Sequence, residues 1–150
     1  MTQISKRGFT LIELLVVISI IGVLATLIMA NFVGVRERAR DAQRKSDLNQ
    51  IQKALEMYKN AQAIPSYPAG TSFAAMKTAL EAGDFMKTVP NDPNCPGATC
   101  TGSSINYQYS RNAADSLKYT IIACLENASD PQKDTTVVGG CTTSLSRSEP

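Results

Sequence analysis

The sequence contains no histidine, and only 6% of its residues are aromatic. Without histidine, an enzyme would need paired carboxylates, an activated serine or cysteine, or a bound metal, and no spacing in this chain proposes any of them. The four cysteines are not arranged as paired CxxC motifs, so a zinc site is not favoured either. We therefore expect a protein without catalytic activity and without a cofactor.

Charge is missing from a long stretch near the start of the chain. The segment 9–35 carries one charged side chain, Glu13, and the 22 residues of 14–35 carry none. As a helix this uncharged part would measure about 33 Å, which is enough to cross a bilayer core of about 30 Å. We predict that the segment is first a membrane anchor and then a polymerisation element.

Proline is absent between Phe9 and Ile64, and an apolar stripe with helical spacing continues to about residue 60. We predict one helix over about 9–60, in which 9–35 spans the membrane and 36–60 is amphipathic and packs on a small domain. The apolar positions on this stripe are Phe32, Val35, Ala39, Ala42, Leu48, Ile51, Leu55 and Tyr58.

The remainder of the chain predicts a small sheet. Region 61–104 connects the long helix to that sheet and holds a short helix capped by Thr71 or Ser72. Region 105–150 forms the sheet and a disulfide-stapled C-terminal part, so the fold class is α+β, with the long helix on a three- to four-stranded antiparallel sheet. Strands are predicted at 105–109, 117–125 and 135–138, and the serine- and threonine-rich run 142–148 is expected to be a disordered or surface tail.

Four cysteines, Cys95, Cys100, Cys124 and Cys141, all follow the apolar segment. An even number in a small domain predicts two disulfides formed in an oxidising compartment, and the alternative is four reduced, buried thiols. Of the three possible pairings we favour Cys95–Cys100 and Cys124–Cys141. The second closes a loop of about 18 residues, which corresponds to about 3 kcal/mol of stability.

Two features of the sequence indicate opposite directions of membrane insertion. Five basic residues follow the segment within 36–45 and two precede it, which by positive count would place the C-terminal side in the cytoplasm. The cysteines indicate the opposite, because disulfides form outside the cytoplasm. We take the C-terminal domain as exported.

Three of these basic residues, Arg36, Arg40 and Arg44, lie four positions apart on one predicted helix face, and Asp41 is spaced to pair with Lys45. Such a stripe fits phospholipid headgroups, DNA, acidic faces of neighbouring subunits, or a solvated face held by its own salt bridges. The net charge of +2 and the lack of interleaved aromatic residues argue against DNA. We expect the solvated face, with subunit contacts as the remaining alternative, and no specific nucleic acid partner.

The run Lys6-Arg7-Gly8-Phe9-Thr10-Leu11-Ile12-Glu13-Leu14 closely resembles the class III signal of type IV pilins and type II secretion pseudopilins. The resemblance implies a pilin-like fold and a prepilin peptidase that cuts between Gly8 and Phe9, removes the leader 1–8 and methylates the Phe9 amine. It also implies that subunits leave a single-pass pool in the inner membrane through an assembly platform with an ATPase motor. The product would be a helical homopolymer at the cell surface, or a periplasmic pseudopilus.

Glu13 is the predicted assembly residue. A carboxylate in an apolar segment costs roughly 2.5–3.5 kcal/mol at the bilayer centre, and the segment itself offers no partner for it. The nearest positive charge after cleavage is the amine of Phe9, on the same chain or on a neighbour, and pairing with a neighbour would fix the axial register of added subunits. The resemblance implies the same role. Ala30 stands where many family members have proline, so we expect a straighter helix here, with local melting around Gly22 left open.

The resemblance also bears on the C-terminal part. Many type IV pilins staple a C-terminal loop as Cys124–Cys141 would, whereas major pseudopilins usually lack this bond and bind calcium in the corresponding loop. The oxygen ligands here would be Asn127, Asp130 and Asp134, but their spacing is not an EF-hand pattern, and a plain turn is the preferred interpretation.

The expected function is that of a structural subunit of a type IV pilus-like filament, with filament roles in adhesion, motility or DNA uptake. One alternative is a type II secretion pseudopilin of the same build. A second alternative is a membrane-anchored binding module that does not polymerise.

Overall fold

A computed structural model describes residues 8–95, 106–135 and 140–149, with the backbone alone described at 30–33. Its elements in chain order are helices α1 (Leu11–Ala61) and α2 (Phe73–Ala82) and strands β1 (Gln108–Arg111), β2 (Tyr119–Cys124) and β3 (Ser144–Ser148). The predicted α+β class, with a long N-terminal helix and an antiparallel sheet, is confirmed. The chain divides into two compact units, Met1–Arg36 and Glu37–Pro150.

In the first unit the described side chains of the apolar segment of α1 are exposed. Its part Leu11–Met29 is long and apolar enough to cross a membrane, and none of it is buried. The hydroxyls of Ser19 and Thr26 donate to the backbone carbonyls of Leu15 and Val23, at 2.7 and 2.8 Å. The polar hydroxyls are thus satisfied within the helix, which lowers the cost of placing them in an apolar environment.

In the second unit, the face of α1 that is buried in the domain changes character along the helix. Asp41, Arg44 and Asp47 are buried in the first turns, and Leu48 and Leu55 are buried further along. The predicted apolar stripe is therefore correct for its later positions and wrong for its earlier ones, because Ala39 and Ala42 are exposed. In these first turns the helix presents its charged side chains, and not Ala39 or Ala42, to the domain, since those charges have partners there.

The sheet has the order β1-β2-β3, and both strand pairs are antiparallel. Along β2, Tyr119, Ile121 and Ala123 are buried and alternate with half-buried residues, as expected for a strand with one face on the core. The core cluster joins α1, α2 and the sheet. Its largest buried members are Leu48, Ile51, Leu55, Tyr67, Met76, Leu80, Tyr107, Tyr109, Ile121 and Leu145.

The third strand of the sheet corrects the sequence prediction. The run 142–148, expected to be a tail, contains β3, whose Leu145 is 1% exposed and pairs with Ala123. Of the predicted strand 135–138, Thr135 lies in a bend and the rest falls outside the described residues. One apolar residue among serines is too weak a pattern to predict a strand. The segment forms a strand because its backbone pairs with β2. The predicted strand 105–109 is shifted, because β1 starts at Gln108.

The short helix α2 begins after Ser72, one of the two predicted caps, although the Ser72 side chain makes no capping hydrogen bond. Met76 and Leu80 are buried on its inner face, and Phe73 is partly buried against the core. Gly83 follows the helix, and its backbone N–H donates to the Ala79 carbonyl at 3.2 Å.

A disulfide joins Cys124, at the end of β2, to Cys141, 17 residues later, with 5.3 Å between the two Cα atoms. It ties the segment that leads into β3 to the central strand. Cys95 is buried, and its predicted partner at position 100 lies outside the described residues.

Replacing both Cys124 and Cys141 with serine is expected to lower the free energy of unfolding by about 3 kcal/mol, because the unfolded chain regains loop entropy. Urea unfolding of the full chain in detergent, followed by tyrosine fluorescence, measures this in the second unit, which contains all five tyrosines. Either single serine variant should lose as much as the double variant. If the stability losses of the two single variants added up to the loss of the double variant, a stabilising disulfide between Cys124 and Cys141 would be contradicted.

Candidate processing and assembly site

Glu13 and Thr10 form a capping box at the start of α1. The backbone N–H and the hydroxyl of Thr10 both donate to Glu13 Oε2, at 2.8 and 2.7 Å, and the Glu13 N–H donates to Thr10 Oγ1 at 3.3 Å. This reciprocal pairing satisfies donors that the first turn of a helix leaves unpaired.

The capping box corrects the expectation that the segment offers Glu13 no partner. The sequence holds the signal for it, because threonine three residues before glutamate, at the start of an apolar run, is the pattern of such a box. Thr10 is neutral, so it leaves the negative charge of Glu13 uncompensated. A cationic partner is still required where the helix is surrounded by apolar material.

The predicted cleavage junction is exposed. Phe9 is 86% exposed, and no described heavy atom lies within 4 Å of the position that a Cβ would take at Gly8. The junction is thus open to a peptidase, and cleavage there stays a prediction. A cut before Phe9 would leave the capping box intact, because Thr10 and Glu13 both follow it. The new amine would then lie one residue from an N–H that already contacts the Glu13 carboxylate.

A second cluster of charges lies in the domain, around the buried guanidinium of Arg44. Arg44 binds Asp92 through two hydrogen bonds of 2.6 and 2.9 Å, and its Nη1 donates to Asp41 and to Glu126, both at 2.7 Å. The Arg44 side chain is 3% exposed. Burial alone would lower the pKa of Arg44, but the bonds to these three carboxylates outweigh it and raise the pKa. The ion stays charged inside the domain.

Neighbouring charges join α1 to the loop that follows β2. Arg40 Nε donates to Glu126 at 2.8 Å, and this bond, with those from Arg44, lowers the pKa of Glu126 to about 2. The Asp41 carboxylate accepts the backbone N–H groups of Glu126 and Asn127, at 3.0 and 2.8 Å. The loop is therefore held to the helix through both its backbone and its side chains.

The predicted solvated stripe is wrong for two of its three arginines. Arg36 is exposed, but Arg40 is ion-paired in the domain and Arg44 is buried. The predicted pairing of Asp41 with Lys45 is also wrong, because Asp41 pairs with Arg44, and Lys45 with Asp130. Two of the three partners of Arg44, Asp92 and Glu126, are 48 and 82 residues away, and spacing within a helix cannot indicate them.

The calcium candidates do not converge on one position. Both Asp130 oxygens accept from Lys45, the Asn127 Oδ1 accepts the Ser129 N–H, and the Asp134 oxygens accept from Ser144 and Ser146. Within 8–95, 106–135 and 140–149, no three His, Cys, Asp or Glu side chains form a group that could hold a metal ion. The donor set does not fit calcium.

The fold and the N-terminal site define a class of protein in which an exposed apolar helix with a single carboxylate continues into a small α+β domain. The family model of the prokaryotic N-terminal methylation motif matches residues 4–29. That match covers the predicted cleavage junction, the capping box and the apolar part Leu11–Met29 of α1.

Curated relatives extend the likeness beyond the helix. Type II secretion system core protein G of Pectobacterium carotovorum is 35% identical in an alignment of 96 residues that covers 59% of this chain and 62% of that protein. The protein of the same name in Klebsiella michiganensis is 44% identical in an alignment of 101 residues that covers 62% of this chain and 71% of its own length. The type IV wide pilus major component of Thermus thermophilus is 47% identical over 54 residues, which are 36% and 35% of the two chains.

This chain belongs to the type IV pilin and type II secretion pseudopilin family. It spans about two thirds of the length of the secretion relatives that it matches, with 62% of the Pectobacterium protein covered. No solved structure matches the chain. The relatives bear the names of structural subunits and not of enzymes.

Proposed function

We propose that this chain is a structural subunit that polymerises through α1 into a filament. The observation that carries the proposal is the exposed apolar helix Leu11–Met29, whose one carboxylate, Glu13, sits at its start within the methylation motif. Such a helix needs lipid before assembly and other copies of itself afterwards. The precursor would be a single-pass inner-membrane protein with its domain outside the cytoplasm.

Processing would follow the family pattern. A prepilin peptidase would cut between Gly8 and Phe9 and methylate the Phe9 amine. An inner-membrane platform with an ATPase motor would then extract the subunit. In the filament the amine of Phe9 would pair with Glu13 of a neighbouring copy, and the role of the chain is structural and not catalytic.

Within this class we propose the type II secretion pseudopilus as the filament, which reverses the preference drawn from the sequence. The secretion relatives align over 96 and 101 residues, and the leader with α1 ends at Ala61, so these matches include residues of the domain. The match to the pilus component covers 54 residues, which is fewer than the 61 residues up to the end of α1. The matched residues in the domain therefore favour the type II secretion pseudopilus over the type IV pilus.

The type IV pilus stays as a second candidate because of the disulfide between Cys124 and Cys141. In the family resemblance this staple is a feature of pilins, and major pseudopilins usually lack it. In the described part of the corresponding loop, the carboxylates of Asp130 and Asp134 are bound by Lys45 and by the β3 serines Ser144 and Ser146.

A deletion of the gene in the native host separates the two candidates. For a pseudopilus subunit, secreted enzymes should accumulate inside the cells while surface pili remain, and the wild-type gene should restore secretion. Loss of surface pili with normal secretion would favour the pilus instead. A deletion that affects neither would remove the proposal.

A further inference from the structure

The loop 126–134 follows the end of β2 and is held to the rest of the domain at several points. Its base is closed by the disulfide from Cys124 to Cys141, and its start is bound to Asp41 on α1. Its middle is fastened by one ion pair, between Asp130 in the loop and Lys45 on α1.

The Lys45 ammonium contacts both oxygens of the Asp130 carboxylate. Lys45 Nζ lies 2.8 Å from Asp130 Oδ1 and 2.6 Å from Oδ2, and the residues are 85 positions apart. Asp130 is 7% exposed, and its Oδ1 also accepts the Gln132 N–H at 2.8 Å. A carboxylate this deeply buried needs a positive charge beside it, or it destabilises the fold. In agreement, the Lys45 ammonium lowers the pKa of Asp130.

We propose that the ammonium of Lys45 is the built-in cation of the middle of this loop and holds it in place of a bound metal, whereas Arg40 and Arg44 pair with Glu126 at the start of the loop. Calcium takes six to eight oxygen ligands at about 2.3–2.6 Å. To supply them, Asp130 would have to release Lys45, and Asp134 would have to release the two β3 serines, Ser144 and Ser146. The ammonium already supplies the charge without those losses. The loop should therefore keep its structure without calcium and lose it without Lys45.

The thermal midpoint of the full chain in detergent, followed by tyrosine fluorescence, tests this in millimolar calcium and in EGTA. The wild-type midpoint should be the same in both. Lys45→Met should lower it by about 4 °C or more in both buffers. Lys133→Met is the matched control, because Lys133 lies in the same loop and its ammonium donates to the backbone carbonyl of Ala128. That variant should keep the wild-type midpoint.

Amide hydrogen exchange distinguishes a local loss of the Lys45–Asp130 contact from a general loss of stability. In Lys45→Met, amide hydrogen exchange should speed up in 126–134 more than in the strands. If that variant does not fold, the double variant Lys45→Met/Asp130→Asn should recover the fold, because it removes the charge left unpaired. A wild-type midpoint that falls in EGTA or rises in calcium would overturn the proposal. So would a Lys45→Met midpoint equal to that of Lys133→Met, or a double variant that recovers nothing.

Discussion

Replacing Glu13 with glutamine is expected to abolish filament assembly while leaving the subunit processed and inserted in the membrane. The amide keeps an oxygen that can accept from Thr10, so the capping box is retained and only the charge is lost. Leaving the partner amine of Phe9 uncompensated in an apolar filament core costs about 3–5 kcal/mol. At tenfold per 1.4 kcal/mol, assembly should fall by about 100-fold or more.

The measurement compares the filaments sheared or pelleted from cells with the total processed subunit. Glu13→Ala, which removes the cap as well as the charge, should assemble no better. Glu37→Gln is the matched control, since Glu37 is the next glutamate along α1 and lies outside the apolar segment. Normal assembly by Glu13→Gln would reduce Glu13 to a helix cap. Normal assembly by Glu13→Ala as well would contradict any role of Glu13 in assembly, and only a wild-type chain that forms no filament would support the non-polymerising alternative.

Replacing Arg44 with methionine is expected to lower the free energy of unfolding of the domain by about 3–5 kcal/mol, because one buried ion is removed and its partners stay. Asp41 and Asp92, both buried, would lose their shared cation. Lysine at this position keeps the charge but cannot bind Asp92 through two donors, so Arg44→Lys should lose less than Arg44→Met.

Urea unfolding followed by tyrosine fluorescence measures this difference in the second unit. Arg38 lies on the same helix and is exposed, so Arg38→Met should change stability by less than about 0.5 kcal/mol. Equal stability of Arg44→Met and Arg38→Met would contradict the view that Arg44 links α1 to the domain.

The long helix could be predicted because its signals are local. A chain without proline from Phe9 to Ile64 and a repeating apolar pattern predict about 9–60, and the helix runs over Leu11–Ala61. The capping box is equally local, since Thr10 and Glu13 have the spacing of such a box. Both features depend on residues within one turn of each other.

The ionic cluster and the third strand could not be predicted in the same way. Arg44 looks like a surface residue by type, and Asp41 on the same helix is joined by two partners far along the chain, Asp92 and Glu126, that make its burial favourable. Strand β3 contains one strongly apolar residue, Leu145, and owes its conformation to pairing with β2 and to the nearby disulfide. Long-range pairing of this kind has no local pattern in the sequence.

The central claim is that the apolar segment becomes an assembly element once the leader is removed. The most direct test is the N-terminal sequence and mass of the subunit in purified filaments. We predict a chain that starts at N-methylated Phe9 and is found within the filament. Filaments built from a chain that retains residues 1–8, or from one cut at another position, would contradict the account.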